Sequence, residues 1–183
     1  VIDIRNKFNL NDSIKIIMTI GRISFDKAPD LFIKSLIKLN NINEDFFAIL
    51  VGDGPMLAKI KIFAENNKIT DKIYFAGSVN HSMIMPLLAQ ADIFVSLNLC
   101  GNLSNAVLEA INSDKCIVTL DYCNNTKRDK HLNSKEIKNA FVLINRNRIV
   151  KDLPIKLDYL INNKDSREIK SKAIKTLRKK YLI

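Results

Sequence analysis

Tryptophan is missing from this chain, histidine occurs only twice, and the three cysteines are too few and too scattered to form a framework. Cys100, Cys116 and Cys123 do not stand at metal-ligand spacing with His81 or His131, so no metal site is expected. Their odd number reads as reduced thiols in a cytoplasmic setting, which makes the Asn124-Asn125-Thr126 sequon accidental. Five glycines and four prolines in 183 residues exclude fibrous and low-complexity classes, and 47% apolar content excludes disorder. No apolar run is longer than a strand, which excludes a membrane-spanning helix. No secretory leader pattern precedes Val1, and a start without Met is expected to reflect a cut from something longer.

Three familiar motifs are missing as well. The glycine triplet of dinucleotide sites does not follow the first apolar strand, Lys15 to Ile20. No phosphate loop ending in Gly-Lys-Ser or Gly-Lys-Thr is present, and no acidic pair follows that strand as in a receiver domain. Acidic residues are scarce: 19 against 29 basic ones give a net charge of +10. Such an excess suits nucleic acid, an anionic membrane face or a phosphorylated small molecule. Nucleic acid is excluded, because no aromatic residues interleave with the basic ones and no binding motif appears.

What is present is a regular alternation. Continuous apolar strands are expected at Lys15–Ile20, Phe46–Val51, Lys72–Ala76, Asp92–Leu97, Lys115–Leu120 and Ala140–Ile144. Helices separate them: one with Pro29 in its first turn that buries Phe32, Ile33, Leu36 and Ile37; one with Met56, Leu57, Ile60 and Phe63 inside; and one over Ser82–Gln90 capped by Asn80. A polar loop is expected over 121–132. Residues 1–14 read as a linker leading into the domain, and 165–183 as a basic helix docked through Ile169, Ala173, Leu177 and Tyr181. This alternation predicts one α/β domain over 1–183: a doubly wound, Rossmann-like parallel sheet with helices on both faces.

In such sheets ligands bind beyond the carboxyl ends of the strands. Arg22, Gly52, Ser78 and Ser104 all follow strands and should share that edge. The stretch Asn102 to Ala110 turns at Gly101 and opens a helix whose free N–H groups and dipole suit a phosphate. Arg22 and Lys27 are cations that could neutralise a diphosphate there, or could equally be solvated loop residues.

Five segments carry a resemblance: Gly21-Arg22 through Lys27; Leu50-Val51-Gly52-Asp53-Gly54-Pro55; Ile73-Tyr74-Phe75-Ala76-Gly77-Ser78-Val79; Ala91-Asp92-Ile93-Phe94-Val95; and Ser104-Asn105-Ala106-Val107-Leu108-Glu109-Ala110. In order and spacing, over residues 15 to 121, the chain resembles the C-terminal, donor-binding domain of GT-B retaining glycosyltransferases of the family 4 type. The resemblance implies metal-independent transfer of a sugar from a nucleotide diphosphate sugar, UDP- or GDP-linked, to a glycan or lipid acceptor. That substrate would be held without any further cofactor. By the same resemblance Arg22, Lys27, Ser104 and Asn105 would bind the diphosphate, and Glu109 the ribose. Gly77, Ser78 and Val79 would meet the base, while Gly21, Gly52, Asp53 and Gly54 would wall the pocket. His81 is expected to be a first-turn helix residue and Cys100 a spacer. The acceptor would be met by an N-terminal domain that these 183 residues do not contain, so the fragment alone should turn over poorly. The positive charge suits contact with the inner face of a membrane.

Two departures stand out. The family's second glutamate, eight positions before the one matching Glu109, is Gly101 here, with Asp121 a possible substitute carboxylate. Ser104 and Ala28 stand where glycine is usual. The departure at Gly101 keeps open a non-catalytic nucleotide-binding or interaction module; a further alternative, an epimerase-like enzyme on sugar nucleotides, needs extra catalytic acids around the sugar, and none is placed for it.

Overall fold

The computed structural model describes residues 3–121 and 135–181, with side chains through residue 179. Six strands form one sheet: β1 (Lys15–Ile20), β2 (Phe46–Val51), β3 (Ile73–Gly77), β4 (Ile93–Ser96), β5 (Cys116–Asp121) and β6 (Val142–Asn145). Their order is β3-β2-β1-β4-β5-β6, and every pairing is parallel. The chain leaves β1 toward β2 on one side and later returns beside β1 as β4. The topological switch point therefore lies between β1 and β4, where ligands of doubly wound sheets bind. Every residue of β2 and all but the last of β5 are buried, and β1 is buried at its centre and half-buried at its ends, as parallel strands covered on both faces require.

The connecting helices are α2 (Pro29–Asn40), α3 (Leu57–Asn66), α4 (His81–Ala89) and α5 (Asn105–Asn112). After β5 come α6 (Lys135–Ala140), then α7 (Ile149–Asn162) and α8 (Lys164–Tyr181). Helix α2 packs on α3 and α7, while α5 packs on α4 and α8. In α2, Phe32, Ile33 and Leu36 are buried as expected, with Leu39 completing the stripe.

The segment read as a linker is not one. A short helix, α1 (Ile4–Lys7), is capped by the Asp3 carboxylate, which accepts from the Asn6 N–H at 3.1 Å. Ile4 is fully buried, and Phe8 stacks on Phe47 and Tyr74 at 4.8 and 4.9 Å. Arg5 reaches the Asp92 carboxylate at 3.2 Å. The short pattern hides a tertiary anchor, because Phe47, Tyr74 and Asp92 lie far along the chain from it.

The docking stripe of the terminal helix is also rephased. Ile169 is 64% exposed, while Ile174 and Leu177 are buried and Ala173 is partly so. Spacing every four residues drifts round a helix of 3.6 residues per turn, and the buried face follows the three-and-four pattern instead. Helix α6 was not anticipated. Cys123, His131, the sequon at 124–126 and most of the expected loop over 121–132 lie outside the described residues, as does the side chain of Tyr181.

Candidate functional site

The carboxyl edge of the sheet is assembled by backbone contacts between loops. The Gly52 N–H donates to the Gly77 carbonyl at 2.8 Å, joining the turns after β2 and β3. The Gly21 N–H donates to Val51, the Ile23 N–H to Asp53 and the Met56 N–H back to Ile23, at 3.0, 2.9 and 3.0 Å. The turns after β1 and β2 are thus clasped. A β-carbon on Gly54 would lie 2.5 Å from the Ile23 carbonyl oxygen, so the clasp needs glycine there. Asp53 turns its carboxylate onto the Gly54 N–H at 2.6 Å. Gly52, Asp53 and Gly54 are therefore builders of the edge. Gly77 takes φ +68° in open space, with Ser78 exposed and Val79 packed on the core behind it.

Across the switch point, the loop after β1 is tied to the loop after β4. The turn Phe25–Lys27 brings the Lys27 ammonium to 3.0 Å from the side-chain oxygen of Asn98 and 3.2 Å from Asp26. The Leu99 N–H donates to the Asp26 carbonyl at 2.7 Å. Ser24 donates to the Asp26 carboxylate at 2.5 Å, and this bond, joined by Lys27, holds the carboxyl below its usual range. Ala28 closes the turn at φ 48°, ψ 47°, a left-handed conformation in which glycine would be unstrained. Where the resemblance implies glycine, alanine stands with a backbone that glycine would adopt freely.

Asn98 is the residue that reading the sequence missed. It is 1% exposed, and its amide donates to the carbonyl and the side-chain oxygen of Asn102 at 2.9 and 2.7 Å. Its oxygen accepts from Lys27 and from the Cys100 N–H at 3.0 and 3.2 Å. A buried amide satisfied on both ends fixes the loop that leads into α5. A lone asparagine after a strand gives no pattern by which to single it out.

Ser104 occupies the N-cap of α5 in extended conformation, but its hydroxyl makes no capping bond. The helix mouth therefore keeps its first N–H groups available to an anion, with Asn105 exposed beside them. Arg22 is exposed, and its guanidinium has no hydrogen-bond or ion-pair partner among the described residues. Glu109 projects from the second turn of α5 with its side chain 16% exposed, and His81, first residue of α4, stands 3.4 Å from it. Asn80 holds the N-cap position expected of it, although its side chain makes no capping bond. Gly101 adopts φ +78°, so a side-chain-bearing residue would be strained at the position where the resemblance implies a glutamate. Asp121 ends β5 on the same edge of the sheet. The Ala91-Asp92 segment belongs to the opposite edge. There the Asp92 carboxylate accepts from the Ile16 N–H at 2.8 Å and from Arg5.

Residues 1–177 match the family described as glycosyl transferases group 1. The chain belongs to that family. It is 29% identical over 104 residues to the GPI3 subunit of phosphatidylinositol N-acetylglucosaminyltransferase from Saccharomyces cerevisiae, a match covering 57% of this chain and 23% of that protein. The chain thus spans about a quarter of the length of this curated relative. The catalytic domain of cholesterol-alpha-glucosyltransferase from Helicobacter pylori superposes with a TM-score of 0.73 at 26% identity, over 91% of this chain and 98% of that one. Anabaena Alr3699/HepE, solved in complex with UDP, gives a TM-score of 0.78 at 15% identity over 96% of this chain and 46% of that one, a likeness of fold. This group 1 glycosyltransferase domain therefore has the Rossmann-like architecture of GT-B enzymes. Among the described residues, no helix is long and apolar enough to cross a membrane.

Proposed function

We propose that this domain binds the nucleotide-sugar donor of a retaining, metal-independent glycosyltransferase, whose acceptor is a glycan or lipid. The observation that carries the reading is the join across the switch point: Lys27 is held 3.0 Å from Asn98, in the loop that delivers the uncapped mouth of α5. A cation and a helix N-terminus on one side of a sheet edge form a diphosphate site, with Arg22 exposed on the same loop as Lys27. As the glycosidic bond breaks, negative charge grows on the departing nucleoside diphosphate, and prealigned cations and N–H groups stabilise that charge. The UDP held by the Anabaena neighbour supports a nucleoside diphosphate as ligand, and the family supports sugar transfer. The acceptor would be met by a further domain.

One observation favours a second reading. Gly101 at φ +78° leaves the donor sugar without the carboxylate expected beside it, which suits a non-catalytic nucleotide-binding module. Calorimetric titration of the chain with UDP, GDP and ADP, with and without chelator, tests the first step of both. Saturable binding of at least one, unchanged by chelator, is expected. Lys27→Ala should weaken it by about tenfold or more, the equivalent of one charge-assisted hydrogen bond of roughly 1.5–3 kcal/mol. No binding to any of the three would end the donor-site reading.

A further inference from the structure

Glu109 is a carboxylate largely withdrawn from water, with a side chain 16% exposed. Among the described residues, the basic side chain brought to it is that of His81, whose Nδ1 lies 3.4 Å from Glu109 Oε1. The His81 imidazole itself is 87% exposed. Its backbone, in contrast, is well placed. His81 opens α4 four residues after Gly77, whose carbonyl is held by the Gly52 N–H at 2.8 Å. The turn that borders the proposed pocket therefore carries the histidine to the carboxylate.

We propose that His81 is a positioning residue for Glu109: by engaging Oε1 it holds the carboxylate so that Oε2 is presented to the ribose hydroxyls of the donor. This rests on the donor-site reading above. The chemistry follows from the groups present. A carboxylate accepts through two oxygens, and an imidazole N–H can occupy one of them in either the neutral or the protonated ring. A carboxylate already held by one partner loses less rotational freedom when a ribose hydroxyl arrives, and that saving appears as affinity. Because His81 contributes almost no buried surface, its loss should leave the fold intact and act on the ribose alone.

The test uses the intact chain and calorimetry with UDP, GDP and their 2′,3′-dideoxy analogues. His81→Ala should weaken binding of the ribonucleotide by about three- to tenfold, the scale of one side chain's ordering cost, and leave the dideoxy analogue within about twofold. His81→Asn, whose amide nitrogen falls near the position of Nδ1, should restore most of the loss. The double variant with Glu109→Ala should bind no more weakly than Glu109→Ala alone. An unchanged ribonucleotide affinity in His81→Ala, or an equal loss for both ligands, overturns the assignment of His81. If Glu109→Ala weakens binding while His81→Ala does not, only this inference fails. If Glu109→Ala binds as wild type, the ribose role of Glu109 fails with it, and if the wild-type chain binds neither nucleotide, the donor-site reading fails first.

Discussion

A β-carbon added at Gly52 would sit 1.9 Å from the Gly21 carbonyl oxygen, whereas one added at Gly77 would meet nothing within 4 Å. Both residues have positive φ, but the +68° of Gly77 lies in the left-handed region that alanine can enter at a cost, whereas the +133° of Gly52 lies beyond it, so backbone and surroundings both set Gly52 apart. Gly77→Ala should cost about 1–2 kcal/mol, the price of a left-handed alanine. Gly52→Ala must in addition part the clasped turns after β1 and β2, and should cost about 3 kcal/mol or more. Urea denaturation of the two variants measures the gap, and equal losses would show that the clasp yields easily. At this scale the sequence was partly legible. Arg22 and Ser104 could be placed on one edge of the sheet because the loops that carry them follow strands, and the structure puts both loops at that carboxyl edge. Asn98 and the pairing of His81 with Glu109 could not, because both depend on loops brought together from distant positions. Ala28 shows a further limit, since its left-handed backbone is invisible without the glycine that would have signalled it.

Strand β5 carries a thiol in its fully buried face, and this sets a pH dependence for the element. Burial raises the pKa of Cys116 from 9.0 to about 11. Above about pH 9 the unfolded chain releases this proton while the folded chain retains it until about pH 11. The unfolded state then binds fewer protons, so stability falls as pH rises through that window. The loss should approach about 2–3 kcal/mol at its upper end, on about 1.36 kcal/mol per pKa unit. Cys116→Ala should be less stable at neutral pH but show a flatter decline between pH 9 and 11, which pH-stepped urea titrations of both chains can read. A parallel decline would assign the alkaline slope to lysines instead. The strands were the most legible elements, with β1 and β2 falling on the expected residues, because burial on both faces leaves an uninterrupted apolar run. Helix α8 was legible as a helix and misread in phase. Its buried Ile174 lies one residue past the expected Ala173, a step that only packing against α5, α6 and β5 decides.

The whole molecule divides its work between the two ends of the sheet. Turns that carry the proposed ligand site occupy the carboxyl edge, and the amino edge is devoted to closure. There Asp92 holds the start of β1 through the Ile16 N–H, while Arg5 joins Asp92 to the carbonyls of Asn11 and Ile14 at 2.9 and 3.1 Å. The Ile4 N–H donates to the Gln90 side-chain oxygen at 2.8 Å, and Phe8 lies over Phe47 of β2 and Tyr74 of β3. Helix α1 therefore ties three strands and the turn before β4 across the edge opposite the site. If residues 1–14 were a linker, removing the first eight would leave stability unchanged. With α1 as a tie, the deletion exposes the pocket of a fully buried isoleucine and the faces of two aromatic rings. A loss of about 3–6 kcal/mol follows from the apolar surface and ring contacts given up. Because a domain of this kind holds only about 5–15 kcal/mol in total, the urea midpoint should fall steeply. Nucleotide affinity at low temperature, where the shortened chain remains folded, should be unchanged, since the contacts of α1 described above lie at the opposite edge of the sheet. A midpoint equal to that of the full chain would return residues 1–8 to the status of a linker, and a loss of nucleotide affinity without a loss of stability would place them at the site.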